Sequence, residues 1–198
     1  MSKDSQPLIW ALDVATITGL AIGRVGETPS AKSIRLAPAG STSTALFVGC
    51  LTWFENELER GPLPDILAIE ELLPPTARRG ATSTSTQHRL AGLHGIIRAL
   101  AGYNGIPEVV GVNVGAVRQH FIHRRGLPRD AAKREVLQMC KHLGWPAGDN
   151  NCGDALALWS YTAAVIDPAT ALYTTPLFGQ TGPTWEDVAR DREAKQRG

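Results

Sequence analysis

Apolar residues fall in short runs up to residue 36 and mostly at helical spacing afterwards. Residues 8–13 (LIWALD) and 20–25 (LAIGRV) have the length and content of strands, and predict two strands joined by a turn at Thr16–Gly19. Ser33–Leu36 predicts a third, shorter strand, followed by a loop through the Ala, Pro, Gly and Ser of 37–43. Leu46, Phe47, Leu51, Phe54 and Leu58 then recur at helical spacing, so a helix is expected from Thr44 to Arg60, stopped by Gly61 and Pro62. Asp65–Leu73 (DILAIEELL) is broken only by Glu70 and Glu71, the pattern of a buried central strand that surfaces at its C-terminal end.

After a loop at Pro74–Gly80, a Ser/Thr-rich start opens an amphipathic helix through Leu100. Val109–Val114 predicts a strand and Val117–Ile122 a short helical turn. A basic helix is expected from Arg129 to Leu143, with Asp130 available as a cap and Gly144 as its end. Asp149–Asn151 offer caps for a last apolar helix, Ala155–Ile166, closed by Asp167–Pro168. The order predicts an α/β domain over residues 1–166, with a mixed, mostly five-stranded sheet flanked by helices on both faces. Residues 167–198 are expected to form a polar, loosely packed tail with one helical turn at Trp185–Arg192.

Composition adds exclusions. A chain of 198 residues, 43% hydrophobic, fits one domain. Its three cysteines form no Cys-x-x-Cys, which disfavours a disulfide framework or a zinc knuckle and makes a reducing cytoplasm the expected compartment. The N-terminus lacks a basic segment followed by a long apolar one, and no stretch approaches the ~18 apolar residues of a membrane span. Neither a signal peptide nor a membrane partner is expected.

The net charge of +1 conceals an asymmetry. Residues 1–76 carry 5 Lys+Arg and 9 Asp+Glu, residues 77–145 carry 11 and 3, and residues 146–198 carry 4 and 7, giving −4, +8 and −3. All five histidines also lie in the middle block. A basic centre between acidic flanks suits a phosphate-binding surface beside a carboxylate cluster. Asp13 ends the first strand, Glu70 ends the central strand, and Asp154 stands at the start of the last helix with Asp149 just upstream. Buried carboxylates need a cation, and an all-oxygen set suits Mg²⁺ or Mn²⁺. Two such ions about 4 Å apart can drive in-line displacement at a phosphodiester. Strand alternation sends Glu70 and Glu71 to opposite faces, so only one of them can join Asp13.

Three segments together resemble RuvC-type Holliday-junction resolvases, particularly phage or prophage members. ALDVATITGLAIG (11–23) is similar to the family's opening hairpin, PDILAIEELL (64–73) to its second acidic motif, and CGDALALWSY (152–161) to its final helix. The resemblance covers residues 8–166 and selects Glu70 over Glu71. It implies an RNase H-like fold, a homodimer, and Mg²⁺-dependent cutting of branched DNA in a bacterial or phage-infected cell. Two ions per active site, with Mn²⁺ able to substitute and no organic cofactor, would be held by Asp13, Glu70 and Asp154. The family's fourth acidic position is Asn151 here, so the fourth ligand is either its amide oxygen or Asp149 reaching in as an auxiliary catalytic carboxylate. Val14-Ala15 replaces the usual Pro-Gly, and Leu72 and Leu73 stand where an aromatic wedge is usual.

DNA contacts are expected from Arg78, Arg79, Arg89, Arg118, His120, His123, Arg124, Arg125, Arg129, Lys133 and Arg134. Thr82–Thr86 and Gln87 add phosphate donors at a helix start. Three alternatives remain: an inert resolvase-like DNA-binding module, an RNase H-like RNA-processing nuclease, and an actin-like nucleotide-binding protein. Against the last stand the chain length and the lack of a second Gly-rich phosphate loop.

Overall fold

A computed structural model describes residues 6–72, 83–124 and 126–171. Among them the chain forms strands β1 (Leu8–Asp13), β2 (Ile17–Arg24), β3 (Ser30–Arg35), β4 (Ile66–Glu70) and β5 (Glu108–Val112). Helix α1 (Ser43–Arg60) precedes β4, and α2 (Thr84–Tyr103) precedes β5. Helices α3 (Val114–Ile122), α4 (Arg129–His142), α5 (Asn150–Ile166) and the single turn α6 (Pro168–Ala171) follow. The strands form one mixed sheet in the order β3-β2-β1-β4-β5. The β1–β2 and β2–β3 pairs are antiparallel, and β1–β4 and β4–β5 are parallel.

Period-two alternation splits the core. Ile9 and Ala11 of β1 pack with Ile66 and Ala68 of β4 against α3, α4 and α5. Trp10, Leu12, Leu67 and Ile69 face the opposite way, onto α1 and α2. The expected layering, helices on both faces of a five-stranded α/β sheet, is therefore present. The apolar helix α5 crosses the sheet, and the Trp159 indole N–H donates to the Gly23 carbonyl at 3.1 Å.

Several boundaries differ from expectation. Strand β2 resumes at Ile17, because the buried Thr18 hydroxyl donates to the Ala15 carbonyl at 2.8 Å and closes the turn over residues 14–16. Helix α3 is a nine-residue element rather than a single turn, capped by Asn113 accepting from the Gly115 and Ala116 N–H groups. Asp130 does not cap α4; Pro128 holds the cap position, and Asp130 lies in the first turn, where the helix dipole favours its charge. Helix α5 starts five residues earlier than predicted, at Asn150. The predicted turn at Trp185–Arg192 lies outside the described residues, and none of the described helices is long and apolar enough to cross a membrane.

Candidate active site

Parallel pairing of β1 and β4 sets Ala11 against Ala68 and Leu12 against Ile69. One residue further, the same register brings Asp13 beside Glu70, both on the face covered by α5. Opposite Asp13, on β2, stands Gly19. A Cβ on Gly19 would overlap the backbone carbonyl of Asn151. The missing side chain thus lets the first turn of α5 settle onto the sheet next to Asp13. Asn151 and Asp154, three residues apart on that helix, share one face.

Asp13, Glu70 and Asp154 accordingly line one small cavity of about 20 Å³ together with Arg118 of α3. That cavity lies at the foot of a groove of about 600 Å³, which the same three carboxylates and Asn151 also line. Burial, then the charges of Glu70 and Asp154, push the Asp13 carboxyl from 3.8 up to about 7. Burial, then Asp154, raise Glu70 to about 6. Asp154 is raised by burial, against the pull of Lys133, whose Nζ stands 3.8 Å from its Oδ2. Among the described residues no donor hydrogen-bonds the side chain of Asp13 or Glu70, and no group of three or more His, Cys, Asp or Glu is gathered closely enough to form a ready-made metal cluster. A buried, mutually repelling, all-oxygen set of this kind fits a hard divalent cation, which would offset the repulsion that burial magnifies.

Asp149 is engaged elsewhere. Its carboxylate caps α5, accepting from the Cys152 N–H at 2.8 Å and from the Ser33 hydroxyl at 2.5 Å, and it does not line the groove. Burial works to raise its pKa, but these hydrogen bonds outweigh it and hold the carboxyl below its ordinary value. Replacing Asp149 by Ala is expected to cost about 1 kcal/mol of stability, read from urea unfolding, whereas Asn keeps the cap and costs little. Glu71, exposed just beyond β4, lies over Gly111 of β5 on the opposite sheet face from Glu70, as alternation requires.

The two groove walls differ in character. Arg118, Arg129 and Lys133 line the α3/α4 wall. On the α2 wall, Thr86, Gln87, Leu90 and His94 present a stripe at helical spacing, with Leu72 beside them. Burial, then Arg98, lower His94 to about 4, so none of the described residues lining this wall is a cation at neutral pH. His94 was missed by the sequence reading; its spacing from Leu90 and Thr86 on one helix face was the available signal.

Other expected DNA contacts have partners within the protein. Arg89 donates to the Ser43 hydroxyl at 3.1 Å, tying α2 to the start of α1. Arg124 pairs with Glu135 at 2.8 Å. His120 turns inward to the Ser160 hydroxyl at 3.1 Å and the edge of Tyr161, and burial, then His123, lower it to about 4, leaving it uncharged at neutral pH. His123 caps α3 in the left-handed conformation, exposed like Arg134 on α4, and neither lines the groove. Arg78, Arg79, Arg125, Thr82 and Leu73 lie outside the described residues.

No family model matches the chain, and no curated protein matches it in sequence. Solved structures do match in fold. Thermus thermophilus RuvC superposes with a TM-score of 0.59 at 16% identity, covering 85% of this chain and 98% of that one. T. thermophilus RuvC in complex with a Holliday junction substrate superposes with a TM-score of 0.60 at 17% identity, covering 80% of this chain and 94% of that one. The expected α/β architecture, a mixed five-stranded sheet between helices, is therefore the observed one, and these structures share it.

Proposed function

We propose that this chain is a structure-selective endonuclease that cuts branched DNA, four-way junctions in particular, by divalent-metal-dependent hydrolysis. The observation that carries this reading is the meeting of Asp13, Glu70 and Asp154 in one cavity beneath a groove with one cationic wall. The fold shared with a resolvase solved on a Holliday junction supports it. The three carboxylates, with the Asn151 amide beside them, would hold Mg²⁺ or Mn²⁺. When bound, the cation supplies Lewis-acid polarisation of the phosphate.

The protein's own residues do the rest. Arg118, Arg129 and Lys133 hold the phosphate backbone and set the scissile phosphorus over the cavity. In hydrolysis a water oxygen bonds to phosphorus and the bond from phosphorus to the leaving sugar oxygen breaks. The proton lost by the water leaves through the open groove, and the sugar oxygen takes one from solvent. Leu72 and Leu90 give the α2 wall an apolar surface that excludes water from that side of the groove. Cutting a symmetric junction on two strands needs two such sites, so the working unit is proposed to be a homodimer.

The test is incubation with a four-way junction, a flap, a linear duplex and an RNA–DNA hybrid, each with Mg²⁺, with Mn²⁺ or with chelator. Junction cutting that requires the ion and disappears in Asp154→Asn is expected. Junction binding without cutting under every condition points to an inert binding module, and preferential cutting of the hybrid points to an RNA-processing enzyme; either result overturns the proposal.

A further inference from the structure

We infer that the site holds one divalent cation per protomer, and that the Lys133 ammonium stands where a second ion would otherwise face the phosphate. The inference rests on the metal-dependent nuclease reading and departs from the two ions that the resemblance implies. Four observations lead to it.

The first is space. The enclosed cavity that Asp13, Glu70 and Asp154 share measures about 20 Å³, room for one water-sized body, and beyond it the same carboxylates open onto the groove where Lys133 stands. The second is the ligand count. The position beside Asp154 that would complete a four-carboxylate set is a neutral amide, Asn151, on the groove wall. Asp149 is held by Ser33 and the Cys152 N–H, and Glu71 lines the groove without reaching the inner cavity, so neither replaces it.

The third is a cation already in place. Lys133 Nζ lies 3.8 Å from Asp154 Oδ2, both side chains largely buried, on the groove side of the cavity. The fourth is charge balance. Four carboxylates, Asp13, Glu70, Glu71 and Asp154, and three fixed cations, Arg118, Arg129 and Lys133, line the same groove. One divalent ion leaves that set at +1, which a phosphate backbone can neutralise. Two ions would add +4 and repel each other four times as strongly as unit charges at the same separation. No further carboxylate reaches the cavity to offset this. A Lys in this position gives the non-bridging phosphate oxygens a positive centre that is always present and needs no free metal.

The count is read on the protein without DNA, so it is independent of what the enzyme cuts. Mn²⁺ titration followed by electron paramagnetic resonance is expected to give one bound ion per protomer. Single-turnover junction cutting is expected to depend on Mn²⁺ with a Hill coefficient of one. Asn151→Asp should bring in a second ion at least tenfold more tightly than any second ion binds the unaltered protein, because ligand charge sets the affinity of such sites. Lys133→Gln should bind the first ion more tightly, having released Asp154, yet cut about 100-fold more slowly.

Two ions bound by the unaltered protein, or a Hill coefficient of two, overturns the inference but leaves the nuclease reading intact. Undiminished cutting by Lys133→Gln also overturns it. No bound ion at all overturns both. One ion in the unaltered protein with two in Asn151→Asp establishes the single-ion site even if no junction is cut.

Discussion

Asp13→Asn is expected to abolish cutting, by on the order of 10³-fold or more, and at the same time to raise the melting temperature of the metal-free protein at pH 8. The two effects have one cause. Burial and the neighbouring charges of Glu70 and Asp154 displace the Asp13 carboxyl from 3.8 to about 7, so the folded chain keeps a proton there that the unfolded chain has released. Stability contributed by this group is therefore full below about pH 4, falls as the pH rises, and reaches its minimum above about 7. The displacement bounds the cost of the ionised carboxylate at about 4 kcal/mol. Asn has the same shape and no charge, and should recover about 1–3 kcal/mol at pH 8, or several degrees in a domain of this size. At pH 5 the folded carboxyl is protonated while the unfolded one is largely ionised, so only about a third of the penalty has built up and the gain should shrink accordingly.

His94 and His120, both lowered to about 4, act in the opposite sense, since their stability contribution rises with pH between about 4 and 6.5. They affect the variant and the parent equally, so the difference in melting temperature between the two isolates Asp13. Differential scanning calorimetry with chelator at pH 5 and pH 8, beside single-turnover cutting with Mg²⁺, tests both parts. A variant less stable at pH 8 would refute the burial argument. Cutting within tenfold of the parent would remove Asp13 from the chemistry.

The strand acids were readable from sequence because alternation and register are local. Asp13 follows Ile9 and Ala11 on the α5 face, and Glu70 follows Ile66 and Ala68, so two short runs already aim two carboxylates the same way. The N-terminus of α5 was less readable. Its first turn, Asn150–Gly153, has no apolar periodicity, and an apolar pattern therefore starts the helix late and leaves Asp149 and Asn151 in a loop. Once Asp149 is recognised as the cap, Asn151 is a helix residue facing the groove and the two cannot exchange roles. The basic block is legible only as a count of charges. Arg89 and His120 satisfy hydrogen bonds with partners 46 and 40 residues distant, which charge counting cannot see. Among the described residues Arg118, Arg129 and Lys133 line the groove, while Arg78, Arg79 and Arg125 lie outside them.

Gly19→Ala tests whether the site depends on that close approach of helix to strand. Gly19 lies in a regular strand without a positive φ, so the objection to a side chain is steric and not conformational. The added methyl would overlap the Asn151 carbonyl and press on the Ala155 Cβ at 3.2 Å. Helix α5 cannot slide as a whole, because Trp159 ties its middle to Gly23. The strain is therefore relieved by lifting the first turn, which carries Asn151 and Asp154 away from Asp13. Overpacking of this kind costs about 1–3 kcal/mol, and a displacement of about 1 Å at the reacting groups costs about 100-fold in rate. Gly23→Ala is the paired variant. Its methyl would crowd Pro29 and the Trp159 ring at 3.0 and 3.2 Å, on the same strand and against the same helix but remote from the carboxylates. Both variants should lose stability in urea unfolding, while only Gly19→Ala should lose both tight Mn²⁺ binding and cutting. Equal losses of cutting in the two would mean that α5 responds as a rigid body, and that Gly19 serves general packing without any special role in seating Asp154 beside Asp13.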